Sequence, residues 1–277
     1  MLSYRHSFHA GNFADVLKHI VLVEILEHLT TKETPFEYID THAGAGLFNL
    51  KSADAQKIKE HSNGIAKISL ADFPELSRYF EVIKSVNAPD SLDIYPGSPA
   101  IAKSFLRQQD RAWLFELHPK DVEFLFKNMG NSKRIQIKHA DGFEGIKALL
   151  PPTSRRGLVL IDPSYEIKSD YHELVKHLAS AYKKFSHGTY AIWYPVVDRQ
   201  TIETLEKNIK KSGIKNIQRF ELGISADSDE RGMTASGMIV INPPWKLFDK
   251  MSKLLPKLEK HLGENGSFFK CDVLVKE

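Results

Sequence analysis

Seven short apolar runs, each bounded by turn residues, most restrict the folds open to this 277-residue chain. They are PFEYID (35 to 40), AWLFE (112 to 116), RIQIKHAD (134 to 141), GLVLID (157 to 162), TYAIWY (189 to 194), IQRFELG (217 to 223) and GMIVIN (237 to 242). Runs of this length between turn formers read as strands. Helical patterns over 99–107, 119–129, 143–149, 171–185 and 198–211 separate most of them, and a further amphipathic helix is predicted over 13–29. Strand and helix in alternation build a largely parallel sheet covered on both faces. The prediction is an α/β fold in one domain, 1–277, with a seven-stranded sheet of the Rossmann-like kind. The last two runs, with no helix of useful length between them, predict an antiparallel hairpin at one edge. About fifty residues between Gly46 and Ser98 exceed what a minimal βαβ unit needs, so an inserted helical subdomain is expected over 50–95.

Composition narrows the class of partner. Thirty-eight basic side chains nearly balance 35 acidic ones, for a net charge of +3, which does not describe a protein that wraps nucleic acid uniformly. The single cysteine, Cys271, excludes a disulfide framework and multi-cysteine metal sites and suits the cytoplasm. The N-terminus lacks a signal-peptide pattern, and the most apolar stretch, 16–29, is broken by Lys18, His19, Glu24, Glu27 and His28, so no membrane association is expected. The 12 histidines are scattered, and His172 and His177 stand five apart, which does not stack them on one helix face. No metal is expected, and the chain is taken to act as a monomer.

The first strand runs directly into Asp40-Thr41-His42-Ala43-Gly44-Ala45-Gly46, a turn at the carboxyl end of a parallel sheet, where α/β proteins bind cofactors. A dinucleotide fingerprint would place a third glycine near position 49, which is Asn49, so a nicotinamide cofactor is not indicated. Each of the first four main strands ends in an acid: Asp40, Glu116, Asp141 and Asp162. Such a row can bind an ammonium, two ribose hydroxyls and an exocyclic adenine amine, the inventory of S-adenosylmethionine. Taken singly, strand-end acids cap helices or solvate a rim. Glu116 suits the ribose, and Asp141 the adenine edge, with Gly142 leaving room for the ring. Ser98 before Pro99 reads as a helix N-cap that can also touch the cofactor.

Asp162-Pro163-Ser164-Tyr165 carries the chemistry of an amine methylation. The Asp162 carboxylate and the Pro163 carbonyl can each accept one hydrogen from a planar amine, while Tyr165 stacks on the base that bears it. Asn242-Pro243-Pro244-Trp245 spells a similar pattern. Asp162 is preferred because it ends the fourth strand, next to the cofactor strand in the doubly wound order. The lysines of 246–260 alternate with leucines and read as the wet side of an amphipathic helix. Arg155-Arg156 and Arg231 read as phosphate contacts near the site, and His6, His9 and His19 with Arg5 and Lys18 as a polar lip over the cofactor.

Tyr4 to Asn12, Asp15 to His19, Asp40 to Gly46, Tyr95 to Pro99, Glu116 to Pro119, Arg155 to Gly157 and Asp229 to Trp245 together resemble the bacterial ribosomal RNA large subunit methyltransferase J family. The resemblance spans the chain. It implies a class I methyltransferase fold, S-adenosylmethionine as donor with S-adenosylhomocysteine as product, and one adenine N6 of 23S ribosomal RNA as acceptor. It also implies cofactor contacts from His19, His42, Ser98, Glu116, Asp141 and Gly142 with Lys18 close by, a catalytic role for Asp162, which also counts among the cofactor-binding residues, and a substrate contact from Tyr4; Pro163 and Tyr165 are substrate contacts on the chemistry given above. The chain departs from the family at Ser164, where the family has a second proline. That change frees φ at 164 and adds an N–H, so the resemblance leaves open a catalytically silent RNA-binding homologue. A DNA adenine or guanine-N2 methyltransferase shares the same residue chemistry.

Overall fold

The runs of alternating strand and helix assemble into one eight-stranded sheet, with the order β10-β8-β9-β7-β6-β1-β4-β5. The computed structural model describes residues 5–166, 169–228 and 232–277. In chain order its elements are α1 (Phe13–Thr30), β1 (Glu37–Asp40), β2 (Leu47–Asn49), α2 (Ala53–Ile58), α3 (Ser77–Ser85), β3 (Ile94–Pro96), α4 (Ser98–Phe105), β4 (Arg111–Glu116), α5 (Pro119–Met129) and β5 (Ile135–His139). They continue with α6 (Gly142–Leu149), β6 (Gly157–Ile161), α7 (Ser169–Lys184), β7 (Thr189–Val196), α8 (Arg199–Lys211), β8 (Ile217–Gly223), β9 (Ala235–Ile241), α9 (Leu247–Leu262) and β10 (Phe268–Val275). Strands β7, β6, β1, β4 and β5 are parallel neighbours.

Two expectations about the sheet need correction. The main sheet has eight strands where seven were expected, because β10 pairs antiparallel with β8. Lys270 and Asp272 interrupt its apolar pattern, and only pairing explains them: Lys270 meets Glu221 at 3.0 Å, and Asp272 bonds Arg219. The β8–β9 pair is antiparallel as expected but does not lie at the edge, since β10 covers the outer side of β8; β9 lies between β7 and β8 and runs antiparallel to both. A separate two-stranded sheet, β2–β3, brackets the segment that holds α2, α3 and three short 3-10 turns.

Alternating side chains of each strand feed two cores. Tyr38 of β1 points to the α1, α4, α9 face, and Ile39 to the α6, α7, α8 face. α1 is not the half-wet helix its pattern suggested. Fourteen of its eighteen residues are buried, because β9, α4, α3 and α9 enclose it. Its charged residues Asp15 and Lys18 and its His19 are therefore interior groups. The lysine stripe of α9 does face outward, with Lys250 and Lys257 paired to Glu24 and Glu75 while Leu254, Leu255 and Leu258 are buried. Among the described residues no helix is long and apolar enough to cross a membrane.

Leu17, with no exposure, lies in the enclosed part of α1. Leu17→Ala is expected to lower the free energy of urea unfolding by about 3 kcal/mol. A loss below about 1 kcal/mol would mean that α1 is not enclosed in solution.

Candidate active site

Parallel strands all end on the same edge of a sheet, so the strand-end acids become neighbours. In the order β6, β1, β4, β5 they are Asp162, Asp40, Glu116 and Asp141. The turn after β1 is held against β4 by this row. Gly44 N–H donates to Glu116 Oε2 at 2.7 Å, His118 N–H donates to Glu116 Oε1 at 2.7 Å, and Ala43 N–H donates to the Phe115 carbonyl. Gly44 and Gly46 have φ of +61° and +77°, a region that favours glycine. Burial raises the Glu116 carboxyl above its usual pKa.

Asp40 is fully buried. Its Oδ2 accepts from Tyr38 Oη at 2.6 Å and Ser98 Oγ at 2.7 Å, and its Oδ1 from His42 N–H at 3.3 Å. Ser98 is thus not the N-cap of α4: Gly97 is, and Ser98, the first helical residue, spends its hydroxyl on Asp40. His42 lies edge-on to Phe143, and burial lowers its pKa to about 4, which keeps the ring neutral. His19, lowered to about 3 by burial, turns to the inserted segment, where its Nδ1 lies 2.8 Å from Tyr95 Oη. Tyr95 Oη in turn lies 2.9 Å from Tyr79 Oη.

Asp141 does cap a helix. Its Oδ1 accepts from Phe143 N–H at 2.7 Å and Glu144 N–H at 3.2 Å at the start of α6. Gly142 serves packing before it serves space for a ring. A Cβ there would stand 2.1 Å from the Thr41 carbonyl oxygen, so only glycine lets the loops after β1 and β5 close on each other.

The centre of the site is an ion triad that joins α1 to the end of β6. Lys18 Nζ lies 2.6 Å from Asp162 Oδ2 and 2.9 Å from Asp15 Oδ1, with the Trp193 ring 5.6 Å away. Asp15 also meets His6 Nε2 at 2.9 Å and Gly11 N–H at 2.8 Å. Burial works against the Lys18 ammonium, but Asp15 and Asp162 more than offset it, and its pKa is raised. Burial raises the Asp162 carboxyl, with Lys18 opposing. For Asp15 burial is outweighed by His6 and Lys18, leaving its pKa well below the usual range. Tyr165 adopts φ +52°, donates its hydroxyl to the Trp193 carbonyl at 2.5 Å and packs on Tyr171.

The look-alike Asn242 is at the opposite edge. Because β9 runs backwards, its end lies beside the start of β7, where Asn242 Nδ2 donates to the Ser186 and Gly188 carbonyls, both at 2.8 Å. Arg155 and Arg156 also sit away from the site, since they precede β6, and Arg156 is engaged with the Thr34 and Leu29 carbonyls. Tyr4 and Arg231 lie outside the described residues. Sequence reasoning missed Asp15, Tyr38 and Tyr95 as partners of site residues. Asp15 did leave a signal, because two charges three residues apart in an otherwise apolar helix belong to one face.

An open parallel sheet with a reversed strand set next to its last parallel member, and a row of acids beside a glycine turn, defines a class I methyltransferase fold. The family model described as Ribosomal RNA large subunit methyltransferase D, RlmJ matches residues 33–274, and the chain belongs to this family. It is 52% identical over 270 residues to the ribosomal RNA large subunit methyltransferase J of Haemophilus influenzae, with 96% of each chain covered. Against the protein of the same name from Escherichia coli K12 it is 52% identical over 269 residues, again with 96% of each covered. A solved structure from Legionella pneumophila is similar at a TM-score of 0.87 and 37% identity, covering 96% of this chain and 98% of that one.

Asp40 and Asp15 give stability opposite dependences on pH. Burial raises Asp40 to about 6, so the fold retains a proton that the unfolded chain releases near 3.9. Its contribution is full below that value and is lost as pH rises through about 6. The lowered Asp15 contributes above the unfolded value and loses that contribution as pH falls. In urea unfolding, Asp40→Asn is expected to gain on the wild type as pH rises from about 4 to about 7, and Asp15→Asn to fall behind it as pH rises through the range below about 4. A pH-independent difference for both would contradict the assignment.

Proposed function

We propose that this protein transfers a methyl group from S-adenosylmethionine to the N6 amine of a specific adenine in 23S ribosomal RNA. The observation that carries the reading is the placement of Asp162. It stands at the carboxyl end of β6, one strand from the glycine turn, with its side chain oriented by the buried Lys18. Membership of a family of large-subunit ribosomal RNA methyltransferases supports it.

S-adenosylmethionine, when bound, supplies an electrophilic methyl carried on a sulfonium sulfur. The donor set along the sheet edge fits that molecule. Glu116 suits the ribose hydroxyls and Asp141 the exocyclic amine, with His42, Ser98 and Gly142 around them, Asp40 holding Ser98 and the turn from behind, and Lys18 and His19 close by on α1. Glu116 and Asp141 arrive already oriented by backbone N–H groups, which lowers the cost of ordering them on binding.

An adenine turned out of its RNA strand presents its amine to Asp162 and the Pro163 carbonyl. Each accepts one hydrogen, which draws the nitrogen lone pair out of conjugation and aims it at the methyl. Tyr165, anchored through its hydroxyl, provides a ring for the base to stack on. Tyr4 is assigned to the target nucleotide.

Transfer of labelled methyl to protein-free 23S ribosomal RNA tests the reading. Asp162→Asn is expected to lower kcat about 10³-fold, while Asn242→Ala changes it less than about twofold. Because Asp162 is raised and its protonated form is a weaker acceptor, activity should fall on the acid side with an apparent pKa above the ordinary carboxyl value near 3.9. Transfer to DNA but not RNA would move the substrate, and cofactor binding without transfer to either would make the chain a silent RNA-binding homologue. Ser164→Pro, which restores the family residue and stiffens the loop, is expected to raise kcat a few-fold with little change in KM; a fall would show that the serine is required.

A further inference from the structure

The chain's small net charge conceals a separation of charge between the two edges of the sheet. Among the described residues, the loops at the carboxyl edge (40–46, 116–119, 139–142, 162–166, 196–199, 223–228, 232–235 and 262–268) hold eight acids and a single arginine. The segments at the amino edge (30–37, 106–111, 130–135, 150–157, 183–189, 211–217, 241–247 and 275–277) hold thirteen lysines and arginines against four acids. That is an excess of nine, in a chain whose total is +3. Two of the four acids, Glu37 and Asp110, are buried.

Part of this excess has a structural explanation. Arg107 and Arg156 donate to the backbone carbonyls of 29–34, Lys184 donates to the Lys147 carbonyl, and Lys183 and Lys211 sit in last helical turns where cations complement the dipole. Eight cations remain: Arg111 opens β4, Lys32 follows α1, and six more stand on loops. Lys215, Lys246 and Lys276 crowd the ends of β8, β9 and β10, Arg155 stands before β6, and Lys133 and Arg134 before β5. All six are exposed, and none forms an ion pair among the described residues.

On the same edge, beside Lys246, stands Trp245, 74% exposed, the most exposed large hydrophobic side chain of the described residues, with Lys246 Nζ 4.6 Å from its ring centroid. The loop beneath it is rigidly tied. Asn242 donates to the Ser186 and Gly188 carbonyls, its N–H donates to the Asn216 carbonyl, and Asn216 N–H donates to the Lys276 carbonyl. Cations spaced along an edge around an exposed aromatic ring are the arrangement with which proteins hold phosphates and stack an unpaired base. At the sheet's strand spacing the edge extends roughly 34 Å.

We propose that the amino edge of the sheet is a second RNA-binding surface, on which lysines and arginines hold substrate phosphates and Trp245 stacks on an unpaired base. The inference rests on the reading of this protein as an RNA methyltransferase and says where its affinity resides. A site edge rich in carboxylates repels phosphates, so a polyanionic substrate needs its hold elsewhere. The six residue steps along β6 put Arg156 and Asp162 roughly 20 Å apart, a distance that a folded RNA spans along the side of the domain.

The test uses the full chain and a 23S ribosomal RNA transcript, with filter binding across a salt series and steady-state methyl transfer to the same RNA. Lys215→Ala/Lys246→Ala/Lys276→Ala is expected to raise Kd and KM about tenfold or more, to flatten the slope of log K against log salt by roughly two to three units, and to leave kcat at saturating RNA within about twofold. Trp245→Ala should weaken binding at least about fivefold and Trp245→Phe much less, since the phenyl ring still stacks. All four side chains are exposed, so unchanged urea unfolding serves as the control for folding. Unchanged Kd, KM and salt slope in these variants would overturn the proposal, as would wild-type protein that sediments with phosphatidylglycerol vesicles but does not bind the RNA. If the wild type binds RNA through this edge but transfers no methyl, the methylation reading fails and this one stands; if transfer and KM survive every variant, only this one fails.

Discussion

The arrangement depends on a lysine that is almost wholly buried. Lys18 is buried on α1 between Asp15, on its own helix, and Asp162, 144 positions along the chain. A buried ion pair seldom adds net stability over well-packed apolar residues, because desolvation offsets the attraction. What the triad provides is position. It fixes the end of β6 against α1, and Lys18 opposes the burial that raises the Asp162 carboxyl and favours its neutral form. α1 can hold these charges only because its other faces are packed against β9, α3, α4 and α9.

Around that triad, direction of the chain decides which residues can take part in chemistry. Asp162 and Asn242 follow strands and are spelled alike, with a proline next and an aromatic two residues later. β6 runs with its neighbours and β9 against them, so the two motifs end at opposite edges of one sheet. Asn242 then serves as a latch for the loop below Trp245. The same reversal carries Lys246 away from the site, and parallel neighbours bring Asp40, Glu116 and Asp141 into line with Asp162.

Charge shows a similar gap between inventory and placement. Near-balanced composition argues against a uniformly basic surface, and the surface is indeed not uniform. In an α/β sheet of this kind most helices end at the amino edge, where cations are favoured by the helix dipoles. Loop lysines and arginines extend that tendency well beyond what the dipoles require. The carboxyl edge keeps the row of acids that ends its parallel strands.

The periodicity of the apolar residues, the turn chemistry at Gly44 and Gly46 and the acids that end four strands were determined by the sequence alone, because each is a local pattern of a few residues. They were enough to specify an α/β sheet and the residues at its carboxyl edge. Partnerships across the chain were decided only by tertiary structure: Ser98 on Asp40, His19 on Tyr95, Lys18 on Asp162, and the charged strand β10 on β8. Each pairs groups whose own neighbours in sequence carry no sign of the other. α1 shows the reason most plainly, since Lys18 and His19 read as a polar lip on an amphipathic helix, while packing on every side makes them interior groups.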